Sequence, residues 1–126
     1  MMTITKCFSI RASHQLTSLP HRKVEIGELC DILHGHEYLI EIQLSGDLDP
    51  KTGLFKSRNH LFQNIEDQVI EPLKGQHLNQ HLKFTSGEYL AKHIFEVIKN
   101  KIPDISLQSV AIQETSKNRF IYSNRN

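Results

Sequence analysis

The sequence predicts an α+β fold, a four-stranded antiparallel sheet with two helices packed on one face in the order β-β-α-α-β-β. Three observations carry this. Apolar residues alternate with a period of two near both ends of the chain, they recur at helical spacing in the middle, and turn residues separate the two regimes. At 126 residues there is room for one domain, spanning 1–126, and no repeat, low-complexity tract or linker divides it.

Residues 3–13 (TITKCFSIRAS) set Ile4, Phe8, Ile10 and Ala12 on one face and Thr5, Ser9, Arg11 and Ser13 on the other. Cys7 alternates with the polar face, which marks it as structural. Residues 15–33, with Pro20 and Gly27, form a long irregular connection, and segments of this kind are commonly functional or disordered. A second strand over 36–45 (HEYLIEIQLS) aligns Tyr38, Ile40, Ile42 and Leu44, and residues 46–53 (GDLDPKTG) are turn chemistry. Leu61, Phe62, Ile65, Val69, Ile70 and Leu73 predict a helix over 58–73, closed by Pro72 and Gly75. A second helix begins with capping-box form, Thr85 as N-cap and Glu88 reaching back. It buries Leu90, Ile94, Val97 and Ile98 and ends at Ile102-Pro103. Residues 105–115 and 119–123 alternate as two final strands, with Val110, Ile112 and Glu114 on one face.

Composition narrows the function. A formal charge of +1 offers neither a basic stripe for nucleic acid nor an acidic tail. The N-terminal MMTITKCFSI holds no apolar run long enough for a signal peptide or membrane helix, so no membrane partner is expected. Two cysteines without a secretory signal point to free thiols in a reducing cytosol, a cytoplasmic location.

Cys30-Asp31-Ile32-Leu33-His34-Gly35-His36 is the most informative segment. On a strand, His34 and His36 share a side, their Cα atoms roughly 6–7 Å apart. His14 continues the apolar face of the first strand. If the two strands pair, His14 arrives beside them. Three imidazoles with an open position are what catalytic zinc requires. One such residue among eight histidines would be unremarkable, but an HxH pair with a third histidine in phase and a nearby thiol favours a metal. A metal can activate Cys30 by lowering its pKa; otherwise Cys30 is a small residue packing the loop.

Glu114 is a carboxylate in phase with an apolar strand face. Either it is simply exposed at the strand end, or it accepts two parallel N–H bonds from a planar, guanidine-like ligand edge.

These residues give the chain a resemblance, over essentially its whole length, to the 6-pyruvoyl-tetrahydropterin synthase / 6-carboxytetrahydropterin synthase family. The matching pieces are Phe8 to His14, Cys30 to His36, Thr52-Gly53, Leu78-Asn79, Ser86 to Ala91, and Glu114-Thr115 followed by Tyr122. The resemblance implies the T-fold and zinc (Zn2+) on His14, His34 and His36. It also implies Cys30 as the base that moves protons on the side chain of 7,8-dihydroneopterin triphosphate. Glu114, with Thr115 beside it, would grip the 2-amino and N3–H edge of the pterin substrate, Glu114 thereby counting with Cys30 among the catalytic residues. The assembly implied is a homohexamer, a dimer of trimers.

The chain departs from the family at three places. The usual Leu-Asp-His-x-x-Leu-Asn is Leu73-Lys74-Gly75-Gln76-His77-Leu78-Asn79, so the Asp-His proton relay is replaced by Lys74 and Gly75. Asp-Phe after the Thr-Gly turn becomes Ser57-Arg58, and Pro-Thr-x-Glu becomes Thr85-Ser86-Gly87-Glu88. His77 is read as a solvent-facing loop histidine like His81, or as a substitute for the relay if the loop shifts. Two functional readings stand. The first is a zinc-dependent 6-carboxytetrahydropterin synthase in queuosine-precursor synthesis, with 6-pyruvoyl-type chemistry as its variant; the short, insertion-poor chain resembles the 6-carboxy branch. The second is a paralogue that binds metal and pterin without this activity.

Overall fold

The computed structural model describes residues 1–14, 34–56, 58–80, 82–114 and 117–123. Four strands, β1 (Met2–His14), β2 (His34–Gly46), β3 (Leu107–Gln113) and β4 (Arg119–Ser123), form one antiparallel sheet in the order β1-β2-β3-β4. Between β2 and β3 run α1 (Arg58–Ile65) and α2 (Gly87–Lys101). The architecture is the α+β arrangement that the alternation and helical spacing predict.

The sheet is two-faced because its sequence alternates. Phe8, Ile10 and Ala12 of β1, Tyr38, Ile40, Ile42 and Leu44 of β2, and Val110 and Ile112 of β3 are buried on the face toward the helices. Register keeps them in rows: Phe8 pairs with Ile40 and Ile40 with Ile112, while Ile42 pairs with Val110. Leu90, Ala91, Ile94, Phe95 and Ile98 of α2 close over this layer. Each of the larger aliphatic and phenylalanine side chains among these contributes about 1.5–3 kcal/mol through the apolar area it removes from water. The opposite face is polar. Ser9 Oγ donates to Glu37 Oε1 across the first strand pair at 2.8 Å, and Arg119 of β4 pairs with Glu41 of β2.

Two local expectations need correcting. The helix expected over 58–73 rewinds twice, from α to a π turn at Glu66–Ile70 and to a 3-10 turn at Glu71–Leu73. Pro72 has no N–H to return to the carbonyl of Gln68, and Lys101 Nζ donates to that oxygen instead at 3.3 Å. The change of winding still buries Phe62, Ile65, Val69, Ile70 and Leu73. At α2 the N-cap is Ser86, one residue later than expected, its Oγ accepting from Tyr89 N–H at 3.2 Å. Thr85 is withdrawn into the interior at 2% exposure, so Glu88 falls at the second helical position and no capping box forms. Ser86→Ala should therefore lower stability by about 1 kcal/mol, a few degrees in thermal unfolding, whereas Glu88→Ala should cost less than half of that.

Candidate functional site

Pairing of β1 with β2 builds one end of the sheet. His14 lies opposite His34, Ala12 opposite His36 and Ile10 opposite Tyr38. Antiparallel partners are about 4.5–5.5 Å apart at Cα, so the three histidine positions occupy two adjacent rows of one corner. By alternation they fall on the face that carries Ile10, Ala12 and Tyr38. Their backbones are described and their side chains are not, so the strand pairing is established without the ligand geometry. A donor set of three imidazoles at such spacing fits a zinc ion. Cys30 and Thr115 lie outside the described residues, as do the connection over 15–33 and His81.

The next row holds a pair that sequence reading did not connect. Leu39 faces Gln113, so one further step along each strand sets Tyr38 against position 114, just past the end of β3. Tyr38 is wholly buried, at 0% exposure. Its burial first, and the charge of Glu114 second, push the phenol well above the usual tyrosine range, so the hydroxyl stays protonated. Glu114 is half-buried, which rules out the bland reading of a freely exposed strand end. Its carboxylate lies on the first residue of α2. A β-carbon added at Gly87 would come within 3.0 Å of Glu114 Oε1 and 2.6 Å of the Phe120 ring. Glycine is what lets carboxylate and ring close on this helix start, and the N-terminus of a helix attracts negative charge. The arrangement can present a fixed carboxylate, at the same end of the sheet as the three histidine positions, to the N–H edge of a flat ligand.

The signals that could have exposed this pair are modest. Tyr38 is the polar-tipped member of an apolar series in phase with His34 and His36, and Gly87 opens a helix where a side chain is ordinarily tolerated.

His77 is not the solvent-facing loop residue that the sequence suggests. It is half-buried and bridges to Ser13 in parallel sense, with its Nδ1 3.0 Å from Ser13 Oγ. Gly75, at φ 70°, donates its N–H to Arg11 O at 2.6 Å, and Ser13 N–H donates to Gln76 O at 3.0 Å. The segment is thus stitched to the outer edge of β1. Ser13 alternates with His14, so this bond anchors the imidazole on the side away from the histidine corner. Lys74 is tied to Glu71 at 2.7 Å, a bond that raises its pKa above the ordinary lysine value. Neither residue reproduces an Asp-His pair. On the polar face a separate depression of about 400 Å³ surrounds the Glu41–Arg119 pair, lined also by Thr5, Gln43, Gln108 and Ser109. It lies across the sheet from the histidine corner.

Among the described residues, no helix is long and apolar enough to cross a membrane.

Fold and corner together define a T-fold protein: a two-faced antiparallel sheet, both helices on one face, and polar groups gathered at one end of that face. The family description of 6-pyruvoyl tetrahydropterin synthase matches residues 3–125. A 6-pyruvoyl tetrahydrobiopterin synthase of Poecilia reticulata is 29% identical over 129 residues, covering 94% of this chain and 88% of that protein. The structure of Caenorhabditis elegans 6-pyruvoyl tetrahydropterin synthase superposes with a TM-score of 0.79 at 25% identity, over 98% of this chain and 96% of that one. The Plasmodium falciparum enzyme shares the fold, with a TM-score of 0.63 at 11% identity over 98% and 99% of the two chains. The chain belongs to the 6-pyruvoyl tetrahydropterin synthase family, as a divergent member.

Proposed function

We propose that this chain is a zinc-dependent tetrahydropterin synthase of the cytosol, a lyase that eliminates triphosphate from 7,8-dihydroneopterin triphosphate and remodels its side chain. The single observation that carries this reading is Glu114. A half-buried carboxylate set against Gly87 and Tyr38 is suited to bind the 2-amino and N3–H edge of a pterin through two charge-assisted hydrogen bonds. It stands on the same sheet face as the three histidine positions, so a pterin held there would extend its side chain toward them. His14, His34 and His36 would hold the metal. Zinc, when bound, would polarise the side-chain oxygens and acidify the adjacent C–H. Cys30 would take and return the proton, and Thr115 would flank the pterin.

For the product we propose 6-carboxytetrahydropterin, with loss of acetaldehyde, on the strength of the short, insertion-poor chain. The name of the Poecilia relative supports 6-pyruvoyl-type chemistry as the variant. A binding-only protein is the second reading, favoured by Lys74 and Gly75 at the positions of the Asp-His relay. Incubation of metal-loaded protein with dihydroneopterin triphosphate, followed by product identification, separates the three. Carboxytetrahydropterin or pyruvoyl-tetrahydropterin identifies the branch, and unchanged substrate that nonetheless binds leaves the binding protein.

We also propose a hexamer built as a dimer of trimers. β1, before the segment bonded at Arg11 and Ser13, and β4 are the edges of the sheet, and an open edge invites pairing with another chain. Light scattering should report a particle about six times the 14.6 kDa chain mass. A stable monomer at micromolar concentration would refute it.

A further inference from the structure

We infer that His77 is a positioning residue for the histidine corner: by bonding Ser13 it holds the end of β1 in place, and with it the backbone that carries His14. The inference rests on the metal reading above and deepens it.

His14 is the last residue of β1 and pairs with His34, the first of β2. The corner therefore stands at the end of a ladder, where strands open most easily. β2 holds one side of β1. On its outer side Gly75 N–H donates to Arg11 O at 2.6 Å, and Ser13 N–H donates to Gln76 O at 3.0 Å. Ser13 Oγ also lies 3.0 Å from His77 Nδ1, and the two residues bridge in parallel sense. Ser13 is thus held by backbone and side chain together, one residue before His14.

The brace has a firm base. Leu78, next to His77, is wholly buried and begins the turn Leu78–Gln80. Gln80 N–H donates to His77 O at 3.0 Å, and Leu82 N–H donates to Leu78 O at 2.9 Å. Gly75, at φ 70°, supplies the left-handed turn that lays the segment along β1. His77 is therefore mounted on the packed core, and it steadies the corner without entering it. A ligand already held in place loses little freedom when an ion binds, whereas a frayed strand end must first be ordered, at a cost in affinity. Groups bonded directly to a metal ligand change affinity roughly 10–100-fold when removed; acting through the neighbouring residue, His77 belongs at the lower end, about tenfold.

The test is zinc affinity, measured by competition with a chromophoric chelator. His77→Ala should still bind one ion per chain at saturating zinc, with its dissociation constant raised about tenfold. Ser13→Ala should do the same, and the double variant should be no weaker than either, because both remove one bond. The bond is made by Nδ1, and the side-chain amide of asparagine stands as many bonds from Cα as that nitrogen. His77→Asn should therefore bind zinc to within about twofold of the parent, while His77→Gln, one bond longer, should resemble His77→Ala. In cobalt-loaded protein the visible ligand-field bands should shift in His77→Ala and return in His77→Asn. A merely structural His77 would lower the unfolding temperature of metal-free and metal-loaded protein equally, with affinity and cobalt bands unchanged. That result overturns the inference and leaves the metal reading intact, as does a loss of affinity that asparagine and glutamine repair equally or not at all. A parent that binds no zinc removes the metal reading and this one with it. Should His77→Ala fail to fold, His77→Asn against His77→Gln decides: tighter binding by the asparagine variant supports the inference, and equal binding overturns it.

Discussion

His34→Ala and His36→Ala should each release the metal, taking a protein with one ion per chain to essentially none by elemental analysis. The corner they occupy joins the mouths of β1 and β2, where His14 stands opposite His34. On the proposed zinc assignment, removing one of three ligands would leave two, too few to hold the ion against water and buffer. The same loss should appear in stability, because an ion that binds only the folded chain stabilises it by mass action, about 4 kcal/mol when present at a thousand times its dissociation constant. Thermal unfolding of the two variants should fall well below that of the metal-loaded parent and match that of the parent after chelation. His77→Ala is the control. Its imidazole is bonded to Ser13 on the other side of β1, so metal content should stay at one per chain. Full stoichiometry in both His34→Ala and His36→Ala would refute the assignment.

Cys30→Ala and Glu114→Gln should fail in opposite ways. In a working synthase Cys30→Ala should lower turnover by at least 10²–10⁴-fold, the scale of one positioned proton-transfer group, with pterin affinity nearly unchanged. Glu114→Gln should weaken pterin binding about 10- to 100-fold, since charge-assisted hydrogen bonds are worth roughly 1.5–3 kcal/mol each and an amide meets one ligand N–H with its own. In a binding-only protein Cys30→Ala should change nothing measurable, while Glu114→Gln still impairs binding. Pterin titrations beside turnover of the parent distinguish these cases. Undiminished binding by Glu114→Gln would remove the pterin reading altogether.

Much of the architecture was legible because side-chain periodicity reports burial directly. The alternation of Phe8, Ile10 and Ala12, and of Ile40, Ile42 and Leu44, names the buried face, and each of these residues is buried on it. The helix details were less so. Thr85 and Ser86 are both acceptable caps, and only the packing that draws Thr85 inward selects Ser86. The rewinding after Ile65 ends at Pro72, which has no N–H for Gln68 O, and the bond that oxygen accepts comes from Lys101, 33 residues further on.

The candidate site divides in the same manner. Residue type and spacing along the chain singled out His14, His34, His36 and Glu114, because ligand chemistry and two-residue alternation are local properties. What needed the tertiary structure was adjacency across strands and between layers. Register set His14 opposite His34 and brought Tyr38 to the end of β3. Packing of α2 on the sheet laid Gly87 against Phe120 and Glu114. A bond to Ser13 turned His77 from a possible relay into an anchor on the far side of β1. None of these contacts is written in local periodicity, since each joins residues brought together only when the sheet pairs and the helices close over it.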